Sequence, residues 1–421
     1  MTTTPFTLTI RWTVCLAAAC LALPACDQLV VVGRVESDAG EDASPDDGVD
    51  GATDGGEDGG DDHGVDGGTT CQEALVADSL AVGTYHVCAR RGGAVWCWGG
   101  GQSGQLCNGD TPESALPGPP VGVDTYQEVY VGGLNTCLSR VDGALLCCGN
   151  NFSGALADGT SQNQSRPQAV TSDVEDVVIG FSNVYATDGD GDLFAWGDNE
   201  YGQLGLGPAT AGEAVRTIMA VSGVSFAQVS ANTHHACGVT SGGELRCAGA
   251  NDGGELGIPL SPGVDVFTVV PAAVSFRSVS AGRRLGCAIS TGNQLYCWGT
   301  NEPTMVTGVT GFVEMPTRVG TLNDYESVSV GFDHLCVLRD GGRLFCWGSG
   351  ENGKLGYDAV TRDTPTEVTP GVAYRVVRAG PDFTCAIRAT DDVVVCFGDD
   401  SVGQTAGSGG GATPRPVCLT P

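Results

Sequence analysis

The 421 residues include 66 glycines, 19 cysteines and 50 acidic against 20 basic side chains. At roughly 100–200 residues per domain the length allows two or three domains or one large repetitive one, and glycine at nearly one residue in six, without a collagen-like triplet, points to a turn-dense all-β fold with enough apolar residues (41%) for a core. A net charge of −30 with a single lysine, Lys354, excludes a phosphate-neutralising surface, and nucleic-acid binding with it.

Trp12 to Leu23 is a largely apolar run of twelve residues behind Arg11. It is too short for a membrane span, which needs about 20 helical residues, and it fits the core of a secretory signal. The run ends Leu23-Pro24-Ala25-Cys26, which resembles the lipobox of bacterial lipoproteins. That resemblance implies removal of residues 1–25 and a lipid on the Cys26 thiol, so membrane contact is expected through the anchor only. From Glu36 to Asp66 thirteen acidic residues alternate with Gly and Ala without one aromatic. Such a segment buries too little apolar surface to offset its ordering entropy, so residues 26–70 are expected to form a disordered acidic tether. The chain is accordingly expected to be exported and held in the bacterial cell envelope or at the cell surface.

Residues 71–421 repeat. The word Gly-x-x-x-x-Cys and an echo some ten residues later recur seven times, with closing glycines at 99, 149, 197, 249, 299, 348 and 398, a period of 48–52. Between the paired cysteines the text reads strand, turn, strand, as in Cys336-Val337-Leu338, Asp340-Gly341-Gly342 and Leu344-Phe345-Cys346. A further strand precedes each unit (Ser327-Val328-Ser329-Val330), and a proline-led one opens it (Pro316-Thr317-Arg318-Val319). Four short strands per fifty residues describe a propeller blade. In the fourth copy Asn232 replaces the first glycine; because Asn is the residue next best able to hold positive φ, a left-handed turn is expected there.

Trp98-Gly99, Asn199-Glu200-Tyr201-Gly202-Gln203-Leu204-Gly205, Asn251 through Gly257, Gly104-Gln105-Leu106 and Gly353-Lys354-Leu355-Gly356 resemble the regulator of chromosome condensation repeat family. The resemblance implies a seven-bladed β-propeller of four-stranded blades. Copy five departs from the pattern: Asn301-Glu302-Pro303 leads into a loop without the Gly-Gln-Leu-Gly word.

Six cysteine pairs bracket hairpins: Cys88 with Cys97, Cys137 with Cys147, Cys237 with Cys247, Cys287 with Cys297, Cys336 with Cys346, and Cys385 with Cys396. Opposed residues of a non-hydrogen-bonded antiparallel pair lie about 4.5 Å apart at Cα, within reach of a disulfide. The third copy loses both cysteines together, to Tyr185 and Ala195, as paired positions should. Each bridge is worth roughly 2–3 kcal/mol before strain. Zinc competes as a reading, but single cysteines nine to eleven apart lack the usual ligand spacing. Cys107 and Cys148 are left over and either pair or stay as buried thiols. Each proline-led strand opens a repeat, and Thr413-Pro414-Arg415-Pro416-Val417 has the same opening word with only four residues after it. The C-terminus is therefore expected to supply the opening strand of the blade that the N-terminus continues, bringing Cys418 near Cys71.

Three further patterns bear on chemistry. Gly348 through Lys354 reads almost as a phosphate-binding loop, but Leu355 stands where Ser or Thr should hold magnesium. Asp188, Asp190 and Asp192 resemble the start of a calcium loop, yet Leu193 and Asn199 occupy the positions of its glycine and bidentate glutamate. His86, His235 and His334 share one repeat position, filled by Asn135 and Asn183 elsewhere, and read as structural hydrogen-bonding struts. No metalloprotease helix and no nucleophile elbow appears, so neither catalysis nor a cofactor is expected. The leading functional expectation is a propeller that binds a protein or an envelope ligand. The alternative is an inhibitor of a secreted or periplasmic hydrolase, since inhibitory propellers resemble this family. Guanine-nucleotide exchange and an enzyme acting on envelope polysaccharide stand behind both.

Overall fold

A computed structural model describes residues 71–118, 125–302, 305–306, 311–406 and 410–420; Cys26 and the tether lie outside the described residues. Four short antiparallel strands laid down in sequence order form one unit, and the unit recurs around a ring. Blade 2, for example, is Tyr126–Gly132, Asn135–Arg140, Ala144–Gly149 and Gln164–Ser172. Blades 3 to 7 repeat this arrangement, beginning with Asp176–Ile179, Gln228–Ala231, Phe276–Ala281, Tyr325–Val330 and Tyr374–Ala379. Blade 1 has Ser79–Val82, His86–Arg91 and Ala94–Gly99, with Ser114 bridged to Gly99 and the Gly118 N–H donating to the Cys97 carbonyl at 3.1 Å in the fourth place. Each innermost strand touches the innermost strands of both neighbours, blade 7 against blade 1 included, so the ring is closed and seven-bladed.

The core lies between blades. One cluster unites Leu75, Leu80, Val87 and Trp98 with Phe383, Ile387 and Val394 across the join of blades 7 and 1, and similar clusters fill the other gaps. Packing on both faces explains why middle strands such as Leu335–Leu338 are apolar throughout rather than alternating.

Every hairpin cysteine pair is directly opposed and bridged, with Cα–Cα distances of 4.1–4.2 Å. Cys107 and Cys148 are also joined, linking blades 1 and 2, as are Cys71 and Cys418, at 5.6 Å each. Eight disulfides point to an oxidising, extracytoplasmic setting. In blade 3 Tyr185 opposes Ala195. The Tyr185 ring fills the place of the staple, its hydroxyl donates to the Gln203 carbonyl at 2.7 Å, and its edge meets Phe267. Because the register matches the stapled blades, the double substitution Tyr185→Cys, Ala195→Cys should form a ninth bridge, read as a 2 Da mass gain on reduction; free thiols at both sites in oxidised protein would count against the register.

Two expectations need correction. The proline-led strands do not open blades. Phe312–Arg318 pairs with the preceding hairpin through Cys297 opposite Thr317, and Arg362–Glu367 does the same through Cys346 opposite Thr366. They are outer edge strands, where a proline's missing N–H goes unneeded. Gly411–Pro416 is likewise the fourth strand of blade 7, opposite Val394–Gly398, and not the first strand of blade 1. The ends do pair, one step further on: Glu73–Ala74 runs antiparallel to Cys418–Thr420. Leu75 donates to the Val417 carbonyl at 2.8 Å and accepts from the Val394 N–H at 2.9 Å.

The second correction concerns the first glycine of each repeat. Neither Asn232 nor its glycine counterparts have positive φ. Glycine is required there by crowding: a Cβ on Gly132 would lie 2.0 Å from the Ile179 carbonyl oxygen of the next blade, and one on Gly331 2.4 Å from that of Gly380. Asn232 is accommodated because its amide donates to the Ala281 carbonyl across the same gap, at 3.4 Å. Positive φ belongs instead to the closing glycines, between 100° and 114° in all seven, where the outer strand shifts register.

Candidate docking face

Each innermost strand ends in a tight turn, closed in the same way from blade to blade: Gly83 N–H to the His86 carbonyl at 2.8 Å, Gly282 to Leu285 at 2.7 Å, Gly331 to His334 at 2.9 Å. The turns converge on the ring axis and surround a funnel of about 130 Å³. Val82, Val131, Ile179, Val330 and three alanines form its wall, one from each blade, between the glycine backbones. Phe181, Phe332 and Pro381 stand at its mouth.

Beneath the turns, buried polar groups tie each blade to the next. His86 Nε2 lies 2.8 Å from Thr136 Oγ1, and that hydroxyl donates to the Gln105 carbonyl at 2.8 Å. His334, Thr384 and the Lys354 carbonyl repeat the relay at 2.9 and 3.0 Å. Because Thr spends its proton on the carbonyl, the imidazole Nε2 must donate and is therefore protonated. Asn183 does the same work with two bonds to the carbonyls of Asn232 and Thr233. Burial pushes the imidazoles of His86, His235 and His334 down to about 3, 4 and 3, so all three are neutral; His86 and His334 are struts, whereas neither ring nitrogen of His235 has a hydrogen-bond partner, which corrects the strut expected there. The indoles reach the other way: Trp98, Trp196, Trp298 and Trp347 donate to Gln404, Ala155, Glu255 and Met305 of the preceding blade's loop, at 2.8–3.0 Å.

The phosphate-loop likeness dissolves in three dimensions. Glu351–Gly353 is one short 3-10 turn, and the Lys354 side chain is fully buried, its ammonium 2.7 Å from Asp333 and 2.8 Å from Asp382. Burial opposes its charge, but the two carboxylates outweigh this and hold the ammonium above its usual pKa. It binds blade 6 to blade 7 and is unavailable to a ligand. Asp188 Oδ1 accepts the N–H groups of Asp190 and Asp192, both at 3.0 Å, while Asp192 accepts the Ser225 hydroxyl. These carboxylates serve their own hairpin, and among the described residues no group of three His, Cys, Asp or Glu is placed to hold a metal.

What sequence reasoning missed is a stripe beside the funnel that reaches it at Phe332. Tyr201 (40% exposed) stacks against His234, ring centroids 4.5 Å apart. Burial, ahead of any neighbouring charge, lowers the His234 pKa, with Arg283 and Arg284 adding to it against Asp198 and Glu200. Arg283 and Arg284 are exposed and have no ion-pair partner among the described residues, and the Arg283 guanidinium lies 5.4 Å from the centre of the Phe332 ring. These residues come from four repeats, and apart from Phe332, matched by Phe181, none recurs at its repeat position, so no periodic signal marks the stripe.

The regulator of chromosome condensation (RCC1) repeat pattern matches residues 174–239, 276–302 and 325–387 of this chain in overlapping segments. The ultraviolet-B receptor UVR8 of Arabidopsis thaliana is 29% identical over 187 residues, 42% of each chain. Human HERC2, an E3 ubiquitin-protein ligase, is 28% identical over 174 residues, 39% of this chain and 4% of that one. The chain thus covers less than half the length of these relatives. Among solved structures, human WBSCR16 superimposes with a TM-score of 0.67 at 18% identity, covering 75% of this chain and 88% of that one. Prp20p of Saccharomyces cerevisiae gives 0.64 at 20%, covering 75% and 83%. The chain is a seven-bladed propeller whose residues 174–239, 276–302 and 325–387 match the RCC1 repeat.

Proposed function

We propose that this protein is an exported, lipid-anchored propeller of the bacterial cell envelope or surface that works by binding another protein rather than by turnover. The observation that carries the reading is the stripe of Tyr201, His234, Arg284, Arg283 and Phe332 beside an open funnel: exposed tyrosine and guanidinium groups without an ion-pair partner among the described residues, backed by half-buried His234 and Phe332, are the residue types that anchor protein interfaces. Likeness to repeat-bearing portions of larger proteins such as HERC2 supports an interaction module over a free-standing catalyst. The Leu23-Pro24-Ala25-Cys26 word and the tether supply the anchor, and two acylation signals or several chains on one residue hold far more firmly than one.

Two measurements test this. Cys26→Ser should shift the protein from the membrane to the soluble fraction and remove the mass of the lipid; unchanged fractionation at unshifted mass would reject the anchor. Cross-linking on intact envelopes should yield a discrete adduct with another protein, and its absence at cross-linker doses that capture known envelope pairs would reject the binding role.

A further inference from the structure

We propose that the axial funnel and the arginine stripe together receive a short acidic segment of the partner, with one apolar side chain seated in the funnel and flanking carboxylates on Arg283 and Arg284. This deepens the binding-module reading and rests on it.

The funnel's size and lining set the anchor. At about 130 Å³ it approaches the roughly 150 Å³ apolar cavity that is known to take up benzene, so it holds one branched aliphatic or small aromatic side chain. Its wall of valine, isoleucine and alanine packs against that side chain, while Thr84, Asn232, Thr233 and the glycine backbones of the turns supply polar atoms to the main chain that carries it, and a Cβ at Gly132 or Gly331 would strike the neighbouring blade.

Charge sets what flanks the anchor. The chain carries −30 overall, and its one lysine is buried against Asp333 and Asp382. Arginines elsewhere, such as Arg339, Arg343, Arg375 and Arg388, are spent on carboxylates of the fold. Arg283 and Arg284 are adjacent, exposed and unspent. Phe332 lies under the Arg283 guanidinium, which orients the group while leaving its N–H edge free to meet a carboxylate in the two-bond geometry that arginine favours. The net negative charge elsewhere repels an acidic segment, so the surrounding charge sharpens its placement on the paired guanidinium groups. Tyr201, stacked on His234, extends the apolar shelf along the stripe. His234 is held toward its neutral form, so the positive charge of the stripe is that of the two guanidinium groups.

The test uses the full-length protein in detergent and three short fluorescent probe peptides: leucine flanked on both sides by aspartates, the same with serine for leucine, and the same with lysines for aspartates. At physiological salt the aspartate–leucine probe should bind measurably by fluorescence anisotropy, the serine probe at least about tenfold more weakly, and the lysine probe only by weak attraction to the acidic chain that is lost at high salt and unaltered by the arginine variant. The double variant Arg283→Ser, Arg284→Ser should lose about tenfold or more for the first probe while melting at the wild-type temperature, and Phe332→Ala, at a half-buried site, provides an independent variant with the same expected direction. Equal binding of the acidic and basic probes, an unaltered affinity in both variants, or no binding of the aspartate–leucine probe overturns the inference. If the envelope adduct still forms with the arginine variant, the funnel assignment falls and the binding role stands; if no adduct forms with the wild-type protein, the binding role falls first.

Discussion

Lowering the pH from 7 to 5 will weaken this propeller through three buried histidines, by at most about 2 kcal/mol each, and replacing them will remove that part of the pH dependence. An unfolded imidazole titrates near 6.5, whereas burial holds those of His86, His235 and His334 down to about 3, 4 and 3. A folded-state pKa below the unfolded one means that the unfolded chain binds the extra protons. The stabilisation is therefore complete above about pH 6.5 and is lost as pH falls toward 4, at about 1.4 kcal/mol per unit for each histidine. Three such groups make a slope of about 4 kcal/mol per unit against a typical total of about 5–15, so acid unfolding should finish before pH 4. The measurement is guanidinium unfolding at pH 7 and 5 with disulfides intact. His86→Asn, His235→Asn and His334→Asn combined should flatten the curve, because Asn already fills this repeat position at Asn135 and Asn183 and hydrogen-bonds backbone carbonyls there. An unchanged wild-type free energy between the two pH values would refute the neutral assignment of the three imidazoles.

Truncation after Gly411 should destabilise the whole ring by about 5 kcal/mol or more and lower a single cooperative melting transition. It removes most of the outer strand of blade 7, the fully buried Val417, and the partner of Glu73–Ala74. Burial of one such side chain is worth about 1.5–3 kcal/mol. The lost Cys71–Cys418 bridge, which spans 347 positions, adds about 2–5 kcal/mol, near 6 in the chain-entropy limit before the inner staples shorten the loop. Cys418→Ser alone separates the two contributions, since it keeps the strand and removes the bridge. A truncated protein that melts like the full-length one would show that the ends do not hold the ring.

The sequence made the local structure readable and left the long-range structure ambiguous, for physical reasons visible at single residues. Cys336 and Cys346 mark a hairpin because both partners lie within one repeat, and Tyr185 with Ala195 betrays the same pairing by changing together. Pro316 marks a strand but not its partner: a repeat in sequence and a blade in space are out of phase by one strand, and only the register of Cys297 against Thr317 decides it. Glycine at 132 and 331 was legible as a constraint, yet its cause, a carbonyl of the next blade, has no trace in the local text. The docking stripe was hidden for the opposite reason. Tyr201, His234 and Arg283 each break the repeat, and only the ring brings these breaks beside one another and beside Phe332.

The covalent join of Cys71 to Cys418 also determines how the ring responds to tension. Any pull transmitted along the chain from its N-terminal side enters the propeller at Cys71, the residue bonded to Cys418. The load therefore passes at once into two strands at the join of blades 7 and 1, through a covalent bond rather than through the hydrogen bonds of Glu73–Ala74. Peeling the first strand away one hydrogen bond at a time, the easy way to unravel a sheet from its edge, is closed to it. The seam loaded at that point is also held by the Trp98 indole on the Gln404 carbonyl, and reducing agent converts the same attachment from a clasp into a loose thread.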